Sequence, residues 1–177
     1  MRRTTLLVLS VLLLALPTSN ASSGQAASPA PRFVSGLLDA GSDHTCALLD
    51  TWEVRCWGDG GDGRLGHANT DDVGDDEDPH DYGPVELGAG RTARAITAGS
   101  DHTCALLDNG RVRCWGFGGS GRLGYGNIAS IGDNETPGSV GTVDLGAGRT
   151  ARAITAGSDH TCALLDNGRV RCWGFGG

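Results

Sequence analysis

Several groups of residues in this sequence have the types and spacing of chemical sites. Ser100-Asp101-His102 holds the three side chains of a hydrolytic triad, and the trio recurs as Ser42-Asp43-His44 and Ser158-Asp159-His160. Adjacent residues of an extended chain point to alternate sides, and a catalytic set is normally one asymmetric feature, so the trio reads as turn and strand-start chemistry. Gly58-x-Gly60-x-x-Gly63 and Gly116-x-Gly118-x-x-Gly121 fit the dinucleotide fingerprint. Neither is followed by an amphipathic helix, so both read as glycine-rich loops between strands. The six cysteines all fall in C-x9-C pairs: Cys46 with Cys56, Cys104 with Cys114, Cys162 with Cys172. His102, Cys104 and Cys114 would suit zinc, but that set lacks a fourth ligand and a short cysteine bite.

An acidic run offers hard oxygen ligands. Between Asp59 and Glu86 there are ten acids and one arginine, whereas the matching stretch Phe117 to Asp144 holds only Asp133, Glu135 and Asp144 against Arg122. Asp71, Asp72, Asp75, Asp76, Glu77 and Asp78 are candidate calcium ligands. Their spacing is not that of an EF-hand, and a solvated or partner-facing loop is the commoner fate of such a run.

The elements that must position these residues come in a repeat. Ala-Gly-Ser-Asp-His-Thr-Cys-Ala-Leu-Leu-Asp begins at Ala40, Ala98 and Ala156, an interval of 58 residues each time. Leu87 to Gly119 and Leu145 to Gly177 are identical over all 33 residues, which points to recent duplication. Within the second unit, strands are predicted at Val85 to Leu87, Arg94 to Ala98, His102 to Leu107 and Arg111 to Trp115. Four strands per unit is a propeller-blade pattern. Asp108-Asn109-Gly110 supplies turn residues that tolerate positive φ. Pairing Leu107 with Arg111 across that three-residue loop sets Cys104 opposite Cys114, with His102 on the same face. Three local disulfides are therefore favoured over the metal reading and over reactive thiols.

Composition narrows the function classes. Of 177 residues 30 are glycine, which disfavours a helix-rich domain. All 14 basic residues are arginine, so mechanisms that need a P-loop or Schiff-base lysine are excluded. A net charge of −7 argues against sequence-independent nucleic-acid binding. Residues 1–21 have two arginines, the apolar run Leu6 to Leu16, then Pro17 and small residues, the layout of a secretory signal peptide cut after Ala21 or, second, Ala26. Residues 22–36 read as a flexible leader. Repeat 1 then covers 37–97 with its acidic connector at 59–86, repeat 2 covers 98–155, and 156–177 is a partial third.

The run Ala98-Gly-Ser-Asp-His-Thr-Cys-Ala-Leu-Leu-Asp-Asn-Gly-Arg-Val-Arg-Cys-Trp-Gly116, continuing through Gly121-Arg-Leu-Gly124, resembles the regulator of chromosome condensation repeat. The resemblance spans about Asp39 to Gly177. It implies an all-β propeller, usually of seven blades, with tryptophans in the blade core. His44, Trp57 and Gly58, His102, Trp115 and Gly116, and His160, Trp173 and Gly174 match the repeat's pattern. The family's namesake, a nuclear exchange factor for a small GTPase, is at odds with a leader and paired cysteines. A secreted bacterial relative that inhibits β-lactamase shows the fold binding another protein outside cells.

These readings combine into one expectation: a partial propeller of about 2.7 repeats, too few to close a ring, since the smallest propellers have about four blades. The sequence is thus expected to be a fragment of a longer chain, with a ring completed by further repeats or by other chains. Its expected role is a secreted, non-enzymatic module that binds an unidentified protein, with no cofactor, no nucleic acid and no membrane after leader removal. The alternatives are an extracellular propeller hydrolase or lyase, for which the departures Trp52, His67, His80 and Tyr82 form no coherent site, and a structural surface or matrix repeat protein.

Overall fold

The computed structural model describes residues 38–176. The leader expected over residues 1–36 lies outside them. Among the described residues there is no α-helix, and none long and apolar enough to cross a membrane. Among the described residues nine strands form three separate antiparallel sheets of three. The first contains β1 (Leu38–Ala40), β2 (His44–Leu48) and β3 (Val54–Gly58). The second contains β4 (Ala93–Ala98), β5 (His102–Leu107) and β6 (Val112–Gly116), and the third β7 (Ala151–Ala156), β8 (His160–Leu165) and β9 (Val170–Gly174).

The hairpin register follows the turn chemistry. Leu107 N–H donates to the Arg111 carbonyl at 2.8 Å and Gly110 N–H to the Leu107 carbonyl at 2.9 Å, closing the three-residue loop. Cys104 then faces Cys114, as Cys46 faces Cys56 and Cys162 faces Cys172. Each pair is bonded, with Sγ–Sγ distances of 2.03 to 2.09 Å.

The predicted fourth strand does not form. Val85 contributes one ladder bond, its N–H to the Val54 carbonyl at 2.8 Å, and Val143 does the same to Val112 at 2.9 Å. Each run is too short, three residues ending in Gly88 or Gly146, to sustain a ladder. The outer edge of β6 is covered piecewise instead. Ile131 exchanges two backbone bonds with Gly116, and the Tyr125 hydroxyl donates to the Cys114 carbonyl while accepting from the Cys114 N–H, both at 3.0 Å. In the first unit Val73 bridges Gly58, and His67 stands at the position of Tyr125. A side chain thus does locally what another strand would do, and the edge is closed to further pairing.

Blades stack face to face, and burial depends on position in the stack. Every residue of β5 is buried, because the middle sheet is covered on both faces. In β2 the burial alternates, with His44, Cys46 and Leu48 covered by the second sheet and Thr45 and Ala47 half-buried. In β8 the alternation is reversed. Identical sequence therefore meets two environments: Leu106 is 5% exposed and Leu164 40%, Val112 0% and Val170 64%. The three sheets do not close into a ring.

This difference gives a paired prediction. Leu106→Ala should cost about 2 to 5 kcal/mol of unfolding free energy, whereas Leu164→Ala should cost under about 1 kcal/mol. Urea denaturation of the two variants checks it.

Candidate functional site

The Ser-Asp-His-Thr segments start β2, β5 and β8, and the structure separates their side chains by task. His44 and His102 turn into the interface with the following blade and are buried. Nε2 of His44 lies 2.8 Å from the hydroxyl of Thr103, and Nε2 of His102 lies 2.9 Å from that of Thr161. Each threonine donates its proton to the carbonyl of an arginine in the preceding connector, Arg64 or Arg122, at 3.1 Å. The hydroxyl can then only accept from histidine, so both rings carry their proton on Nε2. Nδ1 is left buried without a partner. Glycine is required beneath the ring, since a Cβ on Gly99 would lie 2.2 Å from Cε1 of His102.

The aspartates do electrostatic work. Arg64 reaches Asp101 at 3.1 Å and, within its own connector, Asp59 and Asp62 at 3.6 and 3.7 Å. Asp101 also meets Arg122 at 3.5 Å, and Arg122 meets Asp159 at 2.7 Å. Arg64, Asp101, Arg122 and Asp159 alternate in charge across three blades. The serines line one concavity with the Ala-Gly residues before them, and the Ser100 and Ser158 hydroxyls are 2.7 Å apart. No hydroxyl, imidazole and carboxylate of one trio form a nucleophile, base and orienter. The trio is a joint between blades, and its arginine and threonine partners were not singled out from sequence. Their signal was present in the repeat itself, as Arg64 and Arg122 or Thr103 and Thr161, each 58 residues apart.

The remaining sequence candidates are placed as follows. Trp115 is fully buried, and Trp57 and Trp173, at the two end blades, are partly buried. Both glycine-rich fingerprints leave a strand and enter a short 3₁₀ turn, at Gly61–Gly63 and Gly119–Gly121, with no helix to receive a pyrophosphate. In the acidic connector, Asp75, Asp76 and Glu77 have oxygens within 4.8 Å of one another and are the residues that could hold a cation. Asp71 and Asp72 line the same concavity, but Asp72 also accepts the Gly60 N–H at 2.8 Å. Asp78 accepts the His80 N–H at 2.9 Å. Of the first-unit departures, His67 and Tyr82 come together, ring centroids 5.2 Å apart, and Arg55 donates to the carbonyls of Tyr82 and His80. Trp52 stands apart, 44% exposed at the hairpin turn.

Burial sets the charge of the joint. Desolvation, then the Arg64 guanidinium, lowers the pKa of His44 from 6.5 to about 4 despite Asp101, Asp43 and Asp59 nearby. Desolvation, then Arg122, does the same for His102, also to about 4. Both stay neutral in the folded chain at pH values where the unfolded chain protonates them. Their stabilisation is fully present above about pH 6.5 and is lost as pH falls from there toward 4. Lowering the pH from 7 to 5 should remove on the order of 1 to 2 kcal/mol per histidine beyond the carboxylate contribution. A variant with His44→Gln and His102→Gln should show a flatter dependence, measured by urea denaturation at both pH values.

Comparison with known proteins gives a consistent result. A model described as the Regulator of chromosome condensation (RCC1) repeat matches residues 37–64, 93–122 and 151–177, and a second of the same description matches 53–106. The Ultraviolet-B receptor UVR8 of Arabidopsis thaliana is 37% identical over 141 residues, covering 78% of this chain and 29% of the receptor. The E3 ubiquitin-protein ligase HERC2 of Homo sapiens is 32% identical over 159 residues, covering 84% of this chain and 3% of the ligase. Among solved structures, human WBSCR16 superposes with a TM-score of 0.62 at 23% identity, over 77% of this chain and 32% of that one. Prp20p of Saccharomyces cerevisiae, whose structure was described with its binding to Gsp1p and histones, gives 0.57 at 24% identity, over 78% and 33%. The chain spans a third or less of the length of each.

Proposed function

This chain belongs to the regulator of chromosome condensation repeat family, and we propose that it is an exported module that binds another protein and performs no catalysis. The observation that carries this reading is the use made of the repeated Ser-Asp-His-Thr set. Histidine, threonine and aspartate are spent on holding blade to blade, which leaves a rigid scaffold with exposed turns and connectors. Prp20p, of the same fold, is described as binding Gsp1p and histones, which supports protein recognition as the use of such a scaffold. Export is supported by three disulfides with no free cysteine, an arrangement of oxidising compartments, together with the signal-like leader. The sites proposed for function are therefore positions where the units differ.

The test is capture of extracellular proteins on the intact, oxidised chain, compared with a variant carrying Ser42→Ala, Ser100→Ala and Ser158→Ala. The expected result is saturable retention of a defined protein, equal for both. Turnover of a peptide or glycan that the serine variant abolishes would overturn the reading.

A further inference from the structure

One departure from the repeat is costly in conformation and unexplained by the fold. Trp52 adopts φ +66° in the hairpin turn, where the other units place Gly110 at +75° and Gly168 at +80°. The backbone there is used identically. Trp52 N–H donates to the Leu49 carbonyl at 2.9 Å and its carbonyl accepts Ala93 N–H at 3.1 Å, as Gly110 bonds Leu107 at 2.9 Å and Ala151 at 2.8 Å. Glycine does this work without strain, and a bulky residue there is a conformational outlier. Such an outlier in an exposed indole points to a function for the side chain.

Arg94 adjoins Trp52, the two lining one small concavity with Thr92, Ala93 and Asp108. Arg94 is the extra residue of a β-bulge, unpaired between Ala93 opposite Leu107 and Ala95 opposite Leu106. Arg152 is the same residue of the same bulge one blade on. Bulges re-aim side chains, and both arginines line a larger cleft of about 850 Å³ between the second and third sheets. Among the described residues neither arginine has an ion pair or side-chain hydrogen bond, whereas Arg64, Arg91, Arg122 and Arg149 all pair with carboxylates. The cleft's own acids are engaged. Asp39 accepts the Ala98 N–H at 3.0 Å, and Asp166 holds Arg149 at 3.3 Å.

We propose that Trp52, Arg94 and Arg152 form a docking strip for an extended acidic segment of a partner protein. Guanidinium groups pair with carboxylates through two parallel bonds, and tryptophan and arginine are the residue types that dominate binding hot spots. Two arginines one blade apart suit a run of carboxylates better than a single small anion. Nucleic acid is disfavoured as the occupant because binding a phosphate backbone needs many cationic contacts, and the strip supplies two arginines.

The inference rests on the protein-binding reading above and is tested separately from it. The probe is a fluorescein-labelled peptide of glutamates around a central leucine, titrated with the intact chain at low salt and read by anisotropy, with a glutamine counterpart as control. The glutamate peptide should bind saturably, at least tenfold more tightly than the glutamine peptide. An R94A/R152A double variant should bind at least tenfold more weakly, with R94K/R152K between it and the wild type. Trp52→Gly should weaken binding at least threefold while keeping or raising the melting temperature, since it installs the residue the other turns use. Equal affinity across these variants would overturn the proposal, as would an oligodeoxynucleotide of matched charge that binds through the same arginines at least as tightly. Capture of a protein partner equally by wild type and R94A/R152A would remove this strip and leave the module reading standing. Peptide binding with no protein captured would do the reverse.

Discussion

The hydroxyl of Thr103 ties one blade to the next: it accepts the Nε2 proton of His44 and gives its own to the carbonyl of Arg64, whose guanidinium holds Asp101. A three-stranded sheet has two faces and cannot bury both alone, so its stability depends on the fit of its neighbours. In this protein the fit is polar where His44 and His102 meet the next blade. A neutral histidine, a threonine and an arginine are buried there, where the hydrogen bonds and ion pairs among them offset the cost of burial, although Nδ1 of each histidine stays without a partner. Arginine suits the joint because one planar guanidinium can serve several acceptors, and Arg64 serves carboxylates from its own connector and from the next blade. The disulfides act inside blades, across one hairpin each, and the Thr-His-Arg-Asp joint acts between them.

What was legible in the sequence was what short-range geometry decides. The pairing of Cys104 with Cys114 follows from a three-residue turn and a period of two, and both operate within about ten residues. The sheets' number and the all-β class followed from the repeat. Val85 to Leu87 has the residue types of a strand, yet the edge it would join is already bridged by Val73, and in the next unit by Ile131 and Tyr125. The joint was illegible for a related reason. His44 and Thr103 are 59 residues apart and Arg64 and Thr103 are 39 apart, so nothing local links them. Ser100-Asp101-His102 was visible as a motif, but its roles are divided among a serine ladder, an ion array and a buried ring, which only the stacking of blades reveals.

Repetition also separates structural from functional residues. Positions that serve the joint recur at the same register, as His44 and His102 do, or Arg64 and Arg122. Positions that depart without structural need, above all Trp52 in a turn built for glycine, carry information the fold does not require. The acidic connector belongs to the same class, since the second connector adopts a matching path around Ile131 with few acids.

Contact with neighbouring blades, rather than a blade's own sequence, sets its stability. Strands β5 and β8 are identical in sequence, so their amides share intrinsic exchange rates, and any difference in protection reports the environment alone. Hydrogen exchange followed by NMR on the oxidised chain, comparing Cys104 to Leu106 with Cys162 to Leu164, measures this directly. At least tenfold stronger protection in the middle blade is predicted; equal protection in the two would mean that a blade's own sequence, not its neighbours, sets its stability.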